Sequence, residues 1–315
     1  MANATVNTTY VGQLATPFVA PAILSADSIA NGYVSVLENV RHEAVLKKFS
    51  GGTIAARSCE FTTPATGMVL GDVTLTTTQL QVNEQICNKD LAQDWAAAQM
   101  RGADASAPNA YANFISQYVS RIVAKDVEKN MWQGNYDPLG GGGAPSVTSF
   151  NGLMQLYAAS SETNNTDVAG AFTALSPSSG TDTGIATHLI QLIANMPDDI
   201  EGDPDTKIFM SRKTFSLYYR YLASNNNNPV LAQEVAKFYL GYEVIVPAGF
   251  PDDCLLATKI DNIYFGTNVL TDMIEARILD LTAVTGDAVT RVAMMFDAGC
   301  QIVDEASAAA VQRTS

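Results

Sequence analysis

The sequence predicts an α+β fold with sheet at both ends of the chain. Residues 72–82 and the stretch from Met273 onward alternate apolar and polar side chains with the period of two that is typical of strands. Between them, residues 108–132 repeat apolar side chains every three or four positions, as one long amphipathic helix does. Strand-rich and helical stretches are thus largely separate, which is the pattern of an α+β protein.

Composition excludes several classes of protein. The chain has 315 residues, 47% of them hydrophobic, and is long enough to bury a sizeable core. Its formal net charge is -14, which argues against a surface whose main task is to coat nucleic acid. No stretch of about twenty strongly apolar residues is present, so no membrane-spanning helix is predicted. The first basic residue is Arg41, so no secretory signal is predicted either.

The charge is unevenly distributed along the chain. Residues 1–58 carry four basic and three acidic side chains, a net of 4 − 3 = +1, and the remainder carries 14 − 29 = −15. We expect the four basic residues to meet acidic side chains of an adjacent copy. The candidate inter-subunit contacts are Arg41, Lys47, Lys48, Arg57, Phe61 and Met68.

Residues 1–32 are almost uncharged, rich in Thr, Asn, Ala and Pro, and without a clear period. This composition predicts an extended N-terminal arm that becomes ordered only by docking on another surface.

Residues 33–88 predict a long two-stranded excursion. Strand-like runs, AVLKKF (44–49) and DVTLTTTQLQV (72–82), flank a tip at TTPATGM (62–68). An isolated hairpin is at best marginally stable in water, so we expect this one to lie against another surface.

Two helices are predicted next, a short one over 89–101 and a long one over 108–132. Pro108 suits the first turn of the second helix, whose length of about 25 residues corresponds to a rod of roughly 37 Å. Polar residues, Glu128 among them, are assigned to its other face. The predicted apolar face consists of Ile115, Val119, Ile122, Val123, Val127 and Met131.

A block of four glycines, Gly140–Gly143, follows the long helix. A phosphate-binding loop would precede a helix, where N–H groups and the positive end of the helix dipole face the anion. These glycines instead follow a helix end that offers carbonyls, and no Gly-Lys-Ser/Thr motif comes after them. The block is therefore interpreted as a joint, and no cofactor is predicted.

Residues 149–265 predict an α/β region. Helices are predicted over 184–196 and 213–223, with a short strand over 208–211 between them.

Residues from Met273 onward return to a period of two. They predict a long hairpin with a turn at 285–287, and one more strand after a second turn at Gly299. The predicted division of the chain is thus 1–32, 33–88, 89–148, 149–265 and 266–315.

Reactive groups are scarce. His42 and His188 stand singly in the sequence, and the four cysteines form no pair at metal-ligand spacing. The acidic run 197–205 has its glycine at the wrong place for a calcium loop and no closing Glu, so it is interpreted as a solvated loop. No catalytic, cofactor-binding or metal-binding residue is predicted, and we do not expect an enzyme.

Five stretches, taken in their order, carry a resemblance to a known family. They are similar to a spine-helix exit, the start of an axial domain, a strand followed by a helix, a Gly-X-X-Val stretch before a Pro-rich turn, and a closing strand with trailing alanines. Together they resemble the major capsid protein of tailed bacteriophages, the Hong Kong 97 type. The stretches are DVEKNMWQGN (126–135), FNGLMQ (150–155), KIFMSRKTFSLYYRYLAS (207–224), LGYEVIVPAGFPDD (240–253) and AMMFDAGCQIVDEASAAAV (293–311).

The resemblance implies a Hong Kong 97-like capsid fold. Its parts would be an N-terminal arm (1–32), an extended β-hairpin loop (33–88), a peripheral domain with a long spine helix (89–148 and 266–315) and an α/β axial domain (149–265).

The resemblance also implies a function. The chain would be a shell protein that forms pentamers and hexamers of an icosahedral head around double-stranded DNA. Its implied partners are other copies of itself, a portal, a separate scaffold or decoration proteins, and DNA contacted without sequence specificity. The implied location is the virion, after assembly in the host cytoplasm, with no membrane partner.

Alternatives remain open. An encapsulin-like nanocompartment shares the fold, although the arm at 1–32 argues against it. A tail tube protein fits the long helix and the α/β region poorly. A soluble hydrolase using His188 with the acidic residues of 198–205 would need a solvent-accessible His188 within hydrogen-bond reach of a carboxylate and a nucleophile.

Overall fold

The structure of the protein is a computed structural model that describes most of the chain. The predicted helix at 89–101 and the glycine block Gly140–Gly143 lie outside the described residues. Helix and sheet are both well represented, as the sequence predicts. The described residues are 7–11, 26–51, 68–87, 110–136, 149–160, 164–169, 171–173, 184–226, 237–268, 275–281, 286 and 289–314.

Helices and strands are bounded as follows. The described helices are α1 (Asp27–Ala30), α2 (Ala110–Gln133), α3 (Leu153–Ala159), α4 (Ile185–Ala194) and α5 (Arg212–Asn226). The described strands are β1 (Asn7–Val11), β2 (Ser35–Leu37), β3 (Glu43–Gly51), β4 (Met68–Thr76), β5 (Thr78–Cys87), β6 (Asn165–Ala169), β7 (Thr206–Met210), β8 (Phe238–Tyr239), β9 (Tyr242–Ile245), β10 (Cys254–Lys259), β11 (Ile263–Thr267), β12 (Glu275–Asp280), β13 (Val289–Ile302) and β14 (Ala308–Thr314). Among these helices, we find none that is long and apolar enough to cross a bilayer.

The first sheet is built around the long strand β13. Residues 290–295 of β13 pair with both β12 and β5, so these two strands lie on opposite edges of β13. Farther along the β12 edge, residues 298–302 pair with β11. β1 extends the sheet beyond β12, and β2 runs parallel beside β11.

Helix α2 packs into the same core as one face of the first sheet. Alternate side chains of β13 are buried, among them Val292, Met294 and Phe296, and they belong to the same apolar core as the buried face of α2. The bounds of α2 confirm the long helix predicted over 108–132. Its buried apolar residues include Val119, Val123, Val127 and Met131.

Two residues of α2 differ from the predicted amphipathic pattern. Ile122, assigned to the apolar face, is 49% exposed, and Glu128, assigned to the polar face, is only 3% exposed. Glu128 is buried because a segment distant in sequence supplies hydrogen bonds to its carboxylate. A helical period cannot show such a partner.

The second sheet has the order β6, β14, β10, β7, β9, β8 and mixes parallel with antiparallel pairs. Helices α4 and α5 contribute Leu189, Leu192 and Tyr218 to the core on one face of this sheet. These elements confirm the helices predicted over 184–196 and 213–223 and the strand over 208–211.

The second sheet lies between the two apolar cores. Alternate residues of β10 point to opposite sides: Leu255 and Ala257 belong to the core with α4 and α5, whereas Cys254 and Leu256 belong to the core with α2. Because both faces are covered, the strand is apolar throughout rather than alternating.

Expectations for the end of the chain are partly wrong. The hairpin of β12 and β13 is present, but Gly299 lies inside β13 and not in a turn. The last strand, β14, does not join the first sheet. It lies between β6 and β10 of the second sheet. Residues 308–311 (AAAV) are fully buried, which suits a central strand with both faces covered.

The N-terminal part also differs from expectation. Within the predicted arm, β1 pairs with β12 of the same chain, and residues 26–30 turn inward, with Ala26 and Ser28 buried against the body. Both segments of the predicted arm therefore dock on the body of their own chain.

The excursion predicted within 33–88 is divided into two parts. β3 and β4 form the antiparallel hairpin, from the pair Glu43 and Thr76 to the pair Gly51 and Met68. The run 72–82 does not stay in this hairpin, because β5 continues it in the first sheet, paired with β13. The change occurs at Thr77, whose N–H donates to the carbonyl of His42 at 2.8 Å.

Candidate functional site

The β3–β4 hairpin presents an apolar face to solvent. Exposed residues alternate with partly buried ones along most of β3, and residues paired across the two strands share a side. Phe49 pairs with Leu70 on the exposed side, with Val45 nearer the base and Met68 nearer the tip. Val45, Phe49, Met68 and Leu70 are 57%, 68%, 66% and 55% exposed, and together they are named the hairpin face.

The side chains of the hairpin face are exposed in the single chain. These large apolar side chains do not contact the apolar core of the chain. Burial of such groups stabilises sheets, so the hairpin lacks this stabilisation on its exposed side. Phe49, Leu70 and Met68 are neighbours on this side, whereas the exposed Lys47–Asp72 ion pair separates them from Val45. A cluster of exposed apolar groups such as the first three marks a site of interaction with other molecules. The hairpin face is therefore the candidate functional site.

The other side of the hairpin anchors its base to the first sheet. Leu75 is fully buried and lies over Gly266 of β11, which pairs in register with Gly299 of β13. A Cβ atom added at Gly266 would lie 2.4 Å from Leu75 Cδ2, and one at Gly299 would lie 2.2 Å from the carbonyl oxygen of Thr76. The glycine pair thus forms a notch that the hairpin base crosses.

An ion pair attaches the hairpin at a second point. Lys48 Nζ lies 3.1 Å from Asp304 Oδ1, and both side chains are mostly buried. Asp304 is itself held in place, because its N–H donates to Asn262 Oδ1 at 2.8 Å and its Oδ2 accepts from the Ser307 hydroxyl at 3.1 Å. The direction in which the hairpin projects is therefore set by the notch and by this ion pair.

The predicted inter-subunit contacts are only partly brought together. Met68 is on the hairpin face and Arg41 is exposed, whereas Arg57 and Phe61 lie outside the described residues. Lys48 pairs with Asp304, and Lys47 pairs with Asp72 across the hairpin at 2.6 Å, so both have acidic partners in their own chain.

Sequence reasoning missed three residues of the hairpin face, Val45, Phe49 and Leu70. A signal for them was present: AVLKKF and MVLGDVTLT place apolar residues on both sides of each strand. A two-stranded ribbon with two apolar sides cannot bury both against one body.

A second junction fixes the segment before the hairpin to helix α2. Glu128 Oε2 accepts from the N–H of Ser28 at 2.9 Å, and Oε1 accepts from the Ser28 hydroxyl at 2.5 Å and from Trp132 Nε1 at 3.1 Å. Burial raises the pKa of the Glu128 carboxyl, and the charge of Asp27 also raises it, against the hydrogen bonds from Ser28 and Trp132.

The groups considered for chemistry do not form a reactive site. His188 is 1% exposed, stacks on Phe172 with ring centroids 4.3 Å apart, and places Nδ1 3.2 Å from Gln191 Oε1. The hydrolase alternative therefore lacks its solvent-accessible histidine. In the acidic loop, the hydrogen bond from Lys259 lowers the pKa of the Asp203 carboxyl. Searching the described parts of the chain, we find no three His, Cys, Asp or Glu side chains grouped to hold a metal ion.

Solved structures share this architecture. The protein is similar to a structure of the satellite phage P4 procapsid including size determination (Sid) protein, with a TM-score of 0.61 and 14% identity over 95% of this chain and 99% of that one. It is similar to the capsid of an empty GTA particle, with a TM-score of 0.55 and 10% identity over 100% and 94%. A structure from Mycobacterium phage Bobi gives a TM-score of 0.52 and 13% identity over 100% and 93%.

The chain has a phage capsid fold. No protein-family model matches its sequence, and no curated protein matches it. The phage capsid fold nevertheless accounts for nearly the whole chain, because the match to the P4 procapsid covers 95% of it. The resemblance to phage capsid proteins is thus confirmed at the level of the fold. A fold shared at 10–14% identity leaves the function to be argued from the surfaces of this chain.

Proposed function

We propose that the protein is a major capsid protein whose copies assemble as pentamers and hexamers into an icosahedral shell enclosing double-stranded DNA. The observation that carries the proposal is the hairpin face, where four large apolar side chains are each more than half exposed in a chain with a phage capsid fold. A shell protein covers area by contacting other copies of itself, and such contacts would bury the exposed side chains of the hairpin face.

The parts of the fold take the following roles in this proposal. The first sheet with α2 is the peripheral domain, and α2 is its spine helix. Residues 149–265 are the axial domain, apart from Ile263–Phe265, which begin β11 of the first sheet. The axial domain also includes β14, because that strand pairs with β6 and β10. The β3–β4 hairpin is the extended loop that lies on a neighbouring copy.

The hairpin contact would be energetically substantial. Burial of the exposed part of each hairpin-face side chain contributes about 1–2 kcal/mol. A permanent shell contact buries more than roughly 2,000 Å² in total, so the hairpin face is one part of a larger interface.

The net charge of -14 is consistent with a shell that does not bind the enclosed DNA tightly. The DNA inside would be contacted without sequence specificity. A portal and a separate scaffold or decoration proteins would be the other partners. The proposal places the protein in the virion after assembly in the host cytoplasm.

Electron microscopy of the protein expressed by itself tests the proposal. Closed shells, or rings of five and six copies, are expected in negative stain. An ordered monomer at every concentration would overturn the proposal. Particles purified from infected cells would carry DNA if the proposal is right, whereas an enzyme cargo would establish the nanocompartment alternative.

A further inference from the structure

The first sheet has a small cavity on the side opposite helix α2. Along β13, buried residues such as Val292 and Met294 point into the core that also contains α2, so the residues that alternate with them point to the other side. Ala293 is one of these. Its short side chain lies between the longer side chains of Arg291 and Met295, so the surface of the sheet is lower at this position.

The strand register supplies the walls of this cavity. Ala293 pairs with Arg277 of β12 on one side and with Asn83 of β5 on the other. Paired residues share a side of an antiparallel sheet, so these two side chains flank Ala293. Each neighbouring strand adds a second residue, Leu279 of β12 and Gln81 of β5. The cavity around Ala293, named the sheet cavity, has a volume of about 190 Å³.

The sheet cavity is positively charged. It is lined by the guanidinium groups of Arg277 and Arg291 and by the side-chain amides of Asn83 and Gln81, and none of its described lining residues is acidic. The two arginines occupy diagonal positions on neighbouring strands, because Arg277 pairs with the residue two positions after Arg291. Long side chains at such positions are within reach of each other. Their like charges repel, and an anion between them would be attracted by both.

The guanidinium of Arg291 has few acceptors within its own chain. An arginine side chain has five N–H donors in a planar fork. Among the described residues, Arg291 Nη2 donates to Gln85 Oε1 at 3.3 Å, whereas Nε is buried and has no hydrogen-bond partner. Buried donors without an acceptor cost free energy, and native structures leave few of them. Arg291 therefore retains N–H groups for an acceptor from outside the chain.

We infer that the sheet cavity binds a dianionic phosphate group, either inorganic phosphate or the terminal group of a phosphomonoester. Such a group carries a charge of about −1.5 to −2 near neutral pH and has three strong acceptor oxygens, which suits a site with two guanidiniums and two amides. A carboxylate or a phosphodiester of nucleic acid carries a single negative charge and matches the site less well. The inference goes beyond the shell function and does not depend on it.

A bound phosphate would join three strands of the first sheet. Arg277 belongs to β12, Arg291 to β13 and Asn83 to β5. The unfolded chain does not bring these groups together, so phosphate should bind only the folded protein and stabilise it by mass action.

Calorimetric titration of the full chain with inorganic phosphate, at constant ionic strength and near neutral pH, tests the site. We expect one phosphate per chain with a Kd of about 1 mM or below. Arg291→Met keeps a long apolar stem and removes the guanidinium, so the Kd should rise about tenfold or more, and Arg277→Met should also raise it. Arg121→Met is the matched control, because Arg121 is an exposed residue of α2, on the opposite side of the sheet, and its Kd should stay within about twofold. No saturable binding by wild type, or equal weakening by the control, would overturn the inference.

Melting temperatures separate binding from folding. Without phosphate, Arg291→Met should melt at the wild-type temperature or above it, because a buried Nε without an acceptor has been removed. Phosphate at about ten times the Kd should raise the melting temperature of wild type by about 2 °C or more and leave that of Arg291→Met unchanged. An equal rise in both proteins would overturn the inference.

Three further ligands identify the source of the phosphate. A nucleoside monophosphate that binds more tightly than inorganic phosphate would assign the site to a phosphomonoester, and weaker binding would assign it to the free ion, and both results support the inference. Acetate that binds as tightly as phosphate would overturn it in favour of a carboxylate from another chain. Blunt duplex DNA without terminal phosphates, if it binds as tightly as phosphate and loses this affinity in Arg291→Met, would overturn it in favour of nucleic acid.

Discussion

Glu128 and Ser28 lie 100 residues apart in the chain and are joined by two hydrogen bonds to one buried carboxylate. Trp132 Nε1 lies 2.8 Å from the Ser28 hydroxyl as well, so three buried groups satisfy one another. Asp27 extends the junction to the loop between β9 and β10, because its Oδ2 accepts from the N–H of Ala248 at 3.1 Å. The junction therefore ties α1, α2 and residue 248 together.

Removal of the Glu128 carboxylate should destabilise the protein. In Glu128→Ala, the N–H and hydroxyl of Ser28 and the indole N–H of Trp132 lose an acceptor in a buried site, and a cavity forms. The free energy of unfolding should fall by about 2–4 kcal/mol. Urea unfolding of dilute protein measures the change, and a loss below about 0.5 kcal/mol would contradict this account.

The pH dependence of stability should be altered in Glu128→Gln. Because burial raises the pKa of Glu128 in the folded state, the folded protein binds this proton more tightly than the unfolded chain. The contribution of Glu128 to stability therefore falls as pH rises from the usual carboxyl value through the raised pKa. The amide stays neutral, so wild type should lose stability relative to Glu128→Gln over this window. Urea unfolding of both proteins at a series of pH values gives the difference, and a constant difference would refute the assignment.

The hairpin face should be required for assembly and not for folding. Phe49→Asp places a charge among exposed apolar groups, so the monomer should keep its circular dichroism and melting temperature while shell formation is lost. Ser50→Asp, which adds the same charge to the adjacent residue on the other side of β3, is the matched control and should assemble better. Sedimentation velocity measures both, and equal assembly of the two variants would argue against the hairpin face.

The glycine notch should tolerate no side chain at Gly299. In Gly299→Ala the added Cβ meets the backbone oxygen of Thr76, which cannot move without shifting the hairpin base. We expect a loss of about 1–3 kcal/mol in the free energy of unfolding. Gly71→Ala is the control, because its nearest neighbour is Lys48 Cγ at 3.2 Å, the stem of a flexible side chain. Equal stabilities by urea unfolding would show that the notch is not tight.

The two hairpin lysines should differ in importance. Lys48→Met breaks a mostly buried ion pair with Asp304 and should speed amide hydrogen exchange in β3 and β4, at a cost of about 1 kcal/mol. Lys47→Met breaks a pair that is more than half exposed and should change stability by less than about 0.5 kcal/mol. Hydrogen exchange followed by mass spectrometry compares them. The reverse order would mean that the ion pair with Asp304 does not hold the hairpin.

The sequence predicts those elements whose cause is local. Helix α2 is within two residues of its predicted ends because apolar residues recur every three or four positions from Ile115 to Met131 and Pro108 suits the first turn of a helix. Helices α4 and α5 and strand β7 follow for the same reason. The hairpin is predicted because two strand-like runs flank a turn-rich segment.

Features set by distant partners could not be predicted. The burial of Glu128 depends on Ser28, and the division of the run 72–82 at Thr77 depends on β13. The position of β14 depends on pairing with β10 and β6, for which its run of alanines carries no signal.

The insertion of β14 between β6 and β10 has a consequence for synthesis of the protein. The second sheet cannot close until residues 308–314 have left the ribosome, by which time the hairpin face, made much earlier, has long been exposed. A polysome carries many nascent copies, so it would carry exposed hairpin faces before any of these copies has a complete second sheet. On the proposed shell function, a copy is a complete partner for assembly only after its second sheet has closed, which places assembly after translation.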